Sequence, residues 1–82
     1  MLYNIIKNYT EKITKDDIIN FSHKYNHELK EYEVNLIYNE IKNNLDSILL
    51  NSDLELHKIK DKLEYTTYLK ILELKEKYKN YL

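Results

Sequence analysis

Leu2, Ile5, Ile6 and Tyr9 fall at i, i+3, i+4 and i+7, which gathers them on one face of a helix. This spacing predicts a first helix over Leu2–Glu11. A helix so short is marginal in isolation and needs the rest of the chain to pack on. A second stripe, Ile18, Phe21 and Tyr25, predicts a helix from Lys15 to about Tyr25, with Ile19 and Ser22 at its edges. Its start is well marked. Thr14 can accept from the free N–H groups of the first turn, and Asp17, three residues on, can reach back as in a capping box. Ile13 and Ile18 have the spacing of a hydrophobic staple, and Asp16 and Asp17 place negative charge where the helix dipole favours it.

Asn26 is the residue here that tolerates a left-handed backbone, so the second helix should stop there. The connector Asn26–Lys30 is polar apart from Leu29, which is expected to tuck between helices. Val34, Ile37, Tyr38, Ile41 and Leu45 then predict a third helix over about Glu31–Asn44, whose outer face of Glu31, Glu33, Asn35, Asn39, Glu40 and Lys42 should lie in solvent. Asn43-Asn44 should end it. Leu45–Asn51 is expected to be an extended, buried connector, with Ile48, Leu49 and Leu50 as an apolar clamp; a helical turn is the alternative. Ser52 and Glu55 match a second capping box and open a fourth helix to about Leu63, with Leu56, Ile59 and Leu63 inward.

Tyr65-Thr66-Thr67 reads as a short break, with Thr66 or Thr67 capping a fifth helix to Tyr81. The alternative is one helix from Asp53 to Tyr81, since positions 56, 59, 63, 67, 71, 74, 78 and 81 form a nearly continuous stripe. The pattern as a whole predicts an all-α fold: one domain over residues 1–82, a compact bundle of four or five short helices around a central helix–connector–helix pair.

Composition narrows the chemistry. There is no Gly, Pro, Cys or Trp, and Arg, Ala and Gln are also missing. Lacking cysteine, the chain has no disulfide, zinc–thiolate site or thiol chemistry. Lacking glycine, it has no phosphate-cradling loop. Lacking arginine, it has lost the usual bidentate reader of phosphate and guanine. The net charge of −1 gives no global pull toward nucleic acid or anionic lipid. No apolar run reaches membrane-spanning length, and Met1–Tyr9 lacks a signal-peptide layout. The expected address is the cytoplasm.

His23 and His27 are four apart, a spacing that can place two metal ligands on one helical face. A helix ending near Tyr25 breaks that geometry, so they are expected to be a solvated pair, and His57 a boundary residue beside an apolar stripe. The stretch from Phe21 to Val34 lacks the alternating oxygen ligands and central glycine of a calcium loop. Asp16/Asp17 and Glu31/Glu33 have polar neighbours and no reason for the raised pKa of acid–base catalysts. No catalytic residue, metal ligand or cofactor site is assigned, and an enzyme is not expected.

The second and third helices could be set out as a helix-turn-helix DNA reader. The third helix's outer face is more acidic than basic, however, and phosphate would repel it. Lys58, Lys60 and Lys62, and Lys70, Lys75, Lys77 and Lys79, are interleaved with Asp61, Glu64, Glu73 and Glu76, the pattern of surface ion pairs. Nucleic acid is therefore not the expected partner. Of nine tyrosines, Tyr25, Tyr38 and Tyr78 lie on apolar stripes with the hydroxyl free to reach water. Tyr3, Tyr32, Tyr65, Tyr68 and Tyr81 are surplus to that pattern and suit a partner or self-association surface.

Ile13-Thr14 with Ile18, Lys24-Tyr25-Asn26, Leu29, Ile41-Lys42-Asn43-Asn44 and Ile48 together resemble a family of small all-helical proteins of unknown function from low-GC Gram-positive bacteria. That family's Thr-Ser-Pro-like helix start falls near Tyr65-Thr66-Thr67, here without the proline. The resemblance implies a helical fold and no activity. The function expected is that of a non-catalytic protein–protein interaction module, the rival being a small nucleic-acid-associated protein.

Overall fold

The first helix, α1, spans Leu2–Glu11, the bounds its spacing predicts. The computed structural model describes residues 2–78, and their side chains except at positions 2, 3, 49, 52 and 78. The expected end of the last helix at Tyr81 lies outside the described residues. So do the parts expected of Tyr81 and Lys79 and of the side chains of Leu2, Tyr3, Leu49, Ser52 and Tyr78.

Helix α2 is Lys15–Lys24, and its capping box is complete. The Asp17 N–H donates to Thr14 Oγ1 at 3.1 Å and the Thr14 N–H donates to Asp17 Oδ2 at 2.8 Å. Its C-terminus closes as a Schellman motif without glycine. Asn26 takes a φ of 59°, the Asn26 N–H reaches the His23 carbonyl at 3.0 Å and the His27 N–H reaches the Ser22 carbonyl at 2.9 Å. Asn26→Gly should stabilise the fold by a few tenths to about 1 kcal/mol, because glycine has no Cβ to oppose a positive φ. Asn26→Ala should cost about 1 kcal/mol. Urea midpoints of the two variants check the pair of signs.

The third helix, α3, runs Glu31–Leu50 and is kinked at Asn44, where φ is −129° and ψ 26°. The Asn43-Asn44 stop is thus a bend rather than an end. An asparagine side chain competes with the helical ladder, but nothing in Leu45–Leu50 forbids a further turn, so the expected extended connector is helix. The apolar clamp fails with it, since Leu50 is 87% exposed.

Helix α4 is Ser52–Ile59 and its cap is Asn51, whose Oδ1 accepts from the Leu54 N–H at 3.3 Å. The cap expected at Ser52 is taken by Asn51, and Glu55 is buried. One 3₁₀ turn, Lys60–Lys62, and an extended Leu63 follow. Helix α5 is Tyr65–Tyr78. The break predicted between the last two helices is real, but it falls at residues 60–64. Thr67 is therefore not a cap; it lies in the first turn of α5 and is 2% exposed.

Five helices and no strand are seen among the described residues, an all-α bundle. The core is small. Leu56, Ile59 and Leu63 are buried together, with Leu36 and Ile37 of α3 and Tyr68, Ile71 and Leu72 of α5 packed against them. Ile18 of α2 and Val34 of α3 are also buried. On α2, Phe21 is about half exposed rather than inward, its ring 4.9 Å from that of Tyr25, while Ser22 takes the buried place. The Ser22 hydroxyl is satisfied by donating to the Ile19 carbonyl at 2.8 Å.

Candidate functional site

The most developed polar site joins the α2–α3 connector to the start of α5. Lys30 stands at the N-cap of α3, and an ammonium cannot accept a hydrogen bond. Glu33 reaches back one turn, its Oε1 accepting from the Lys30 backbone N–H at 3.1 Å. Its Oε2 takes the Glu64 N–H at 3.2 Å, just ahead of α5. One carboxylate, 1% exposed, thus satisfies the first free N–H at two helix N-termini, where the dipoles also favour negative charge. The expectation that Glu33 lies on a solvated outer face is overturned: the side chain points to the position where two helices start.

Lys30 and Glu64 pair side chain to side chain above this carboxylate. The hydrogen bond from Lys30 and another from Tyr32 hold the Glu64 carboxyl below the usual range, and the Lys30 ammonium is raised by the same bond. Partial burial and the bond to Glu64 push the Tyr32 phenol up. Beside them, His27 Nε2 lies 2.8 Å from Thr67 Oγ1. His27 is therefore half-buried and engaged, not one of a solvated pair; His23 is exposed as expected, and His57, expected at a boundary, is exposed too.

A hydroxyl within hydrogen-bond reach of an imidazole has the geometry of a nucleophile and its base. Thr67, however, is buried in the first turn of α5. Two grooves on the surface are lined by other residues. The contact fastens together segments 40 residues apart in sequence.

One groove, of about 360 Å³, lies between α1 and the α3 kink and is lined by Lys7, Thr10, Lys42, Asn43 and Ser47 among others. There Lys42 Nζ donates to the Glu11 carbonyl at 2.7 Å, closing the C-terminus of α1 from another helix. The second, of about 420 Å³, has Ile19, Leu29 and Val34 in its lining and Lys15, His23, Glu28 and Glu31 around them. Both are open to solvent. Among the described residues, no group of three or more His, Asp or Glu side chains could hold a metal ion. No helix among them is long and apolar enough to cross a membrane.

The lysines are largely occupied. Lys70–Glu73 at 3.3 Å is an i,i+3 pair of the expected kind, Lys58–Glu55 at 3.1 Å has the same spacing but a buried carboxylate, and Lys75 pairs with Asp53 across α4 and α5. Tyr38 lies between Lys15 and Lys42, Tyr25 between Lys24 and Lys77, and Tyr68 beneath Lys60, all within 6 Å of the ring centre. Three tyrosines are thus platforms for lysines, a use that the helical stripes alone did not reveal. No family model matches the chain, no curated protein matches its sequence and no solved structure matches its fold.

Proposed function

We propose that the chain is a non-catalytic protein–protein interaction module whose contact surface includes the outer edge of α1. The observation that carries this reading is the exposure of Ile5 and Tyr9, 66% and 65%, one turn apart on an amphipathic helix. Apolar side chains aligned in this way on a small domain favour a partner. The α3 outer face is a poorer choice, because Glu33 is buried and Glu40 is partly so. The lack of cysteine asks nothing of an oxidising compartment, which supports a cytoplasmic setting.

The test is a photo-crosslinking side chain placed at position 5, 9 or 20 of the full chain in the cells that make it; Asn20 is an exposed polar control. Discrete adducts from 5 and 9 and none from 20 are expected. Ile5→Asp should then weaken partner capture about thirty-fold, the effect of losing an anchor worth about 2 kcal/mol. Equal labelling at all three positions, or no adduct, overturns the reading.

A further inference from the structure

The exposed edge of α1 carries a positive charge, and a groove elsewhere on the chain carries unpaired negative ones. Ile5, Asn8, Tyr9 and Lys12 are all exposed and follow at i, i+3, i+4 and i+7. Lys12 lies one residue past the helix, but its N–H still donates to the Tyr9 carbonyl at 3.1 Å, which keeps it on the same turn. Lys7 and Glu11 instead line the groove beside the α3 kink. The exposed edge is therefore two large apolar side chains with one ammonium at the C-terminal end and no carboxylate.

The groove between α2 and α3, of about 420 Å³, has the complementary make-up. Val34 is buried in its lining, and Ile19 and Leu29 are half-buried there. Glu28 and Glu31 stand exposed at its connector end and form no ion pair among the described residues. Lys15, at the other end, already lies over the Tyr38 ring, 5.5 Å from its centre. From Lys15 to His23 the α2 wall is about 12 Å long, enough for the roughly 10 Å from Ile5 to Lys12. An amphipathic helix laid into an apolar groove uses anchors at this spacing. Neither Ile5 nor Tyr9 reaches this groove in its own chain. The net charge of −1 leaves two copies little repulsion to overcome.

We propose that the occupant of this groove is α1 of a second copy of the chain, each copy placing α1 in the groove of the other. The inference rests on the reading of α1 as a contact edge and names its partner. Ile5 and Tyr9 cover Ile19, Leu29 and Val34, while Lys12 meets Glu28 and Glu31 on the rim. A two-fold dimer makes this contact twice.

Charge exchange tests the contact at exposed positions alone. In Lys12→Glu, and in Glu28→Lys combined with Glu31→Lys, like charges face each other at both contacts of a homodimer. A 1:1 mixture of the two variants restores opposite charges at both. Sedimentation equilibrium should find the parent chain dimeric at submillimolar concentration. Each variant alone should dimerise about tenfold more weakly, and the mixture should return to within about threefold of the parent. The circular dichroism of both variants should match that of the parent. A parent chain monomeric throughout, variants that dimerise as the parent does, or a mixture no tighter than its components overturns the proposal. Photo-crosslinking from positions 5 and 9 separates this failure from that of the underlying reading. Adducts of twice the chain's mass are expected. Adducts with another protein overturn the second copy as partner and leave the contact edge standing, whereas no adduct overturns both.

Discussion

Glu33→Ala should cost about 2–4 kcal/mol in urea unfolding at neutral pH, more than any other polar substitution in the chain. The carboxylate accepts from the Lys30 and Glu64 N–H groups and is 1% exposed. Its removal leaves two donors at two helix starts without an acceptor. A lost cap is worth about 1 kcal/mol, and a donor left buried and unpaired costs about 1–3 kcal/mol. Against a stability of roughly 5–15 kcal/mol for a small domain, this is a large fraction. Glutamine is a poor rescue, because one of its two ends carries N–H groups and faces a donor. Glu33→Gln should recover less than half the loss, while an exposed acid such as Glu31→Gln should change little. Equal midpoints for Glu33→Ala and Glu31→Gln would show that the two-helix cap contributes nothing.

Ile59→Ala should be of similar size, about 2–4 kcal/mol, through a different cause. Ile59 is buried with Leu56 and Leu63 where α3, α4 and α5 meet. Truncation there removes apolar contact and leaves a cavity that short helices can only partly close. The buried apolar side chains among the described residues are Ile18, Val34, Leu56, Ile59 and Leu63, so little redundancy remains to absorb the change. Leu69→Ala, on a side chain 43% exposed, should stay within about 0.5 kcal/mol of the parent. Thermal unfolding of the two variants separates burial from mere apolarity.

What the sequence made legible was whatever is decided locally. The Thr14–Asp17 cap, the left-handed Asn26 and the span of α1 each depend on residues within a turn of one another, and all three are as predicted. Leu56, Ile59 and Leu63 also lie inward as predicted, although the helix that carries them ends at Ile59.

The misplacements share a cause. Thr66 and Thr67 looked like the start of α5 because they are good local caps, but the acceptor there comes from Glu33, far back in the chain. Ser52 lost its expected place to Asn51, whose side chain reaches Leu54 at an equally ordinary spacing. The α3 face looked solvated because glutamates usually are. Glu33 turns inward where α5 brings the Glu64 N–H to its second oxygen, a partner 31 residues away in sequence. The polar seam was invisible for that reason, although a charged residue three positions after a lysine N-cap was a signal that could have been read.

The seam also sets the order of events in folding. Its hydrogen bonds, His27 to Thr67 and Glu33 to Glu64, tie residues 40 and 31 apart in sequence, whereas the most extensive helix contacts, α3 with α4 and α2 with α3, join successive elements. Closing so long a loop carries the larger entropic cost, so the local helix pairs can condense first and the seam latch α5 onto them afterwards. Contacts that form after the transition state act on the escape rate. In stopped-flow experiments the Glu33→Ala loss should therefore emerge mainly as faster unfolding, with the refolding limb close to that of the parent chain.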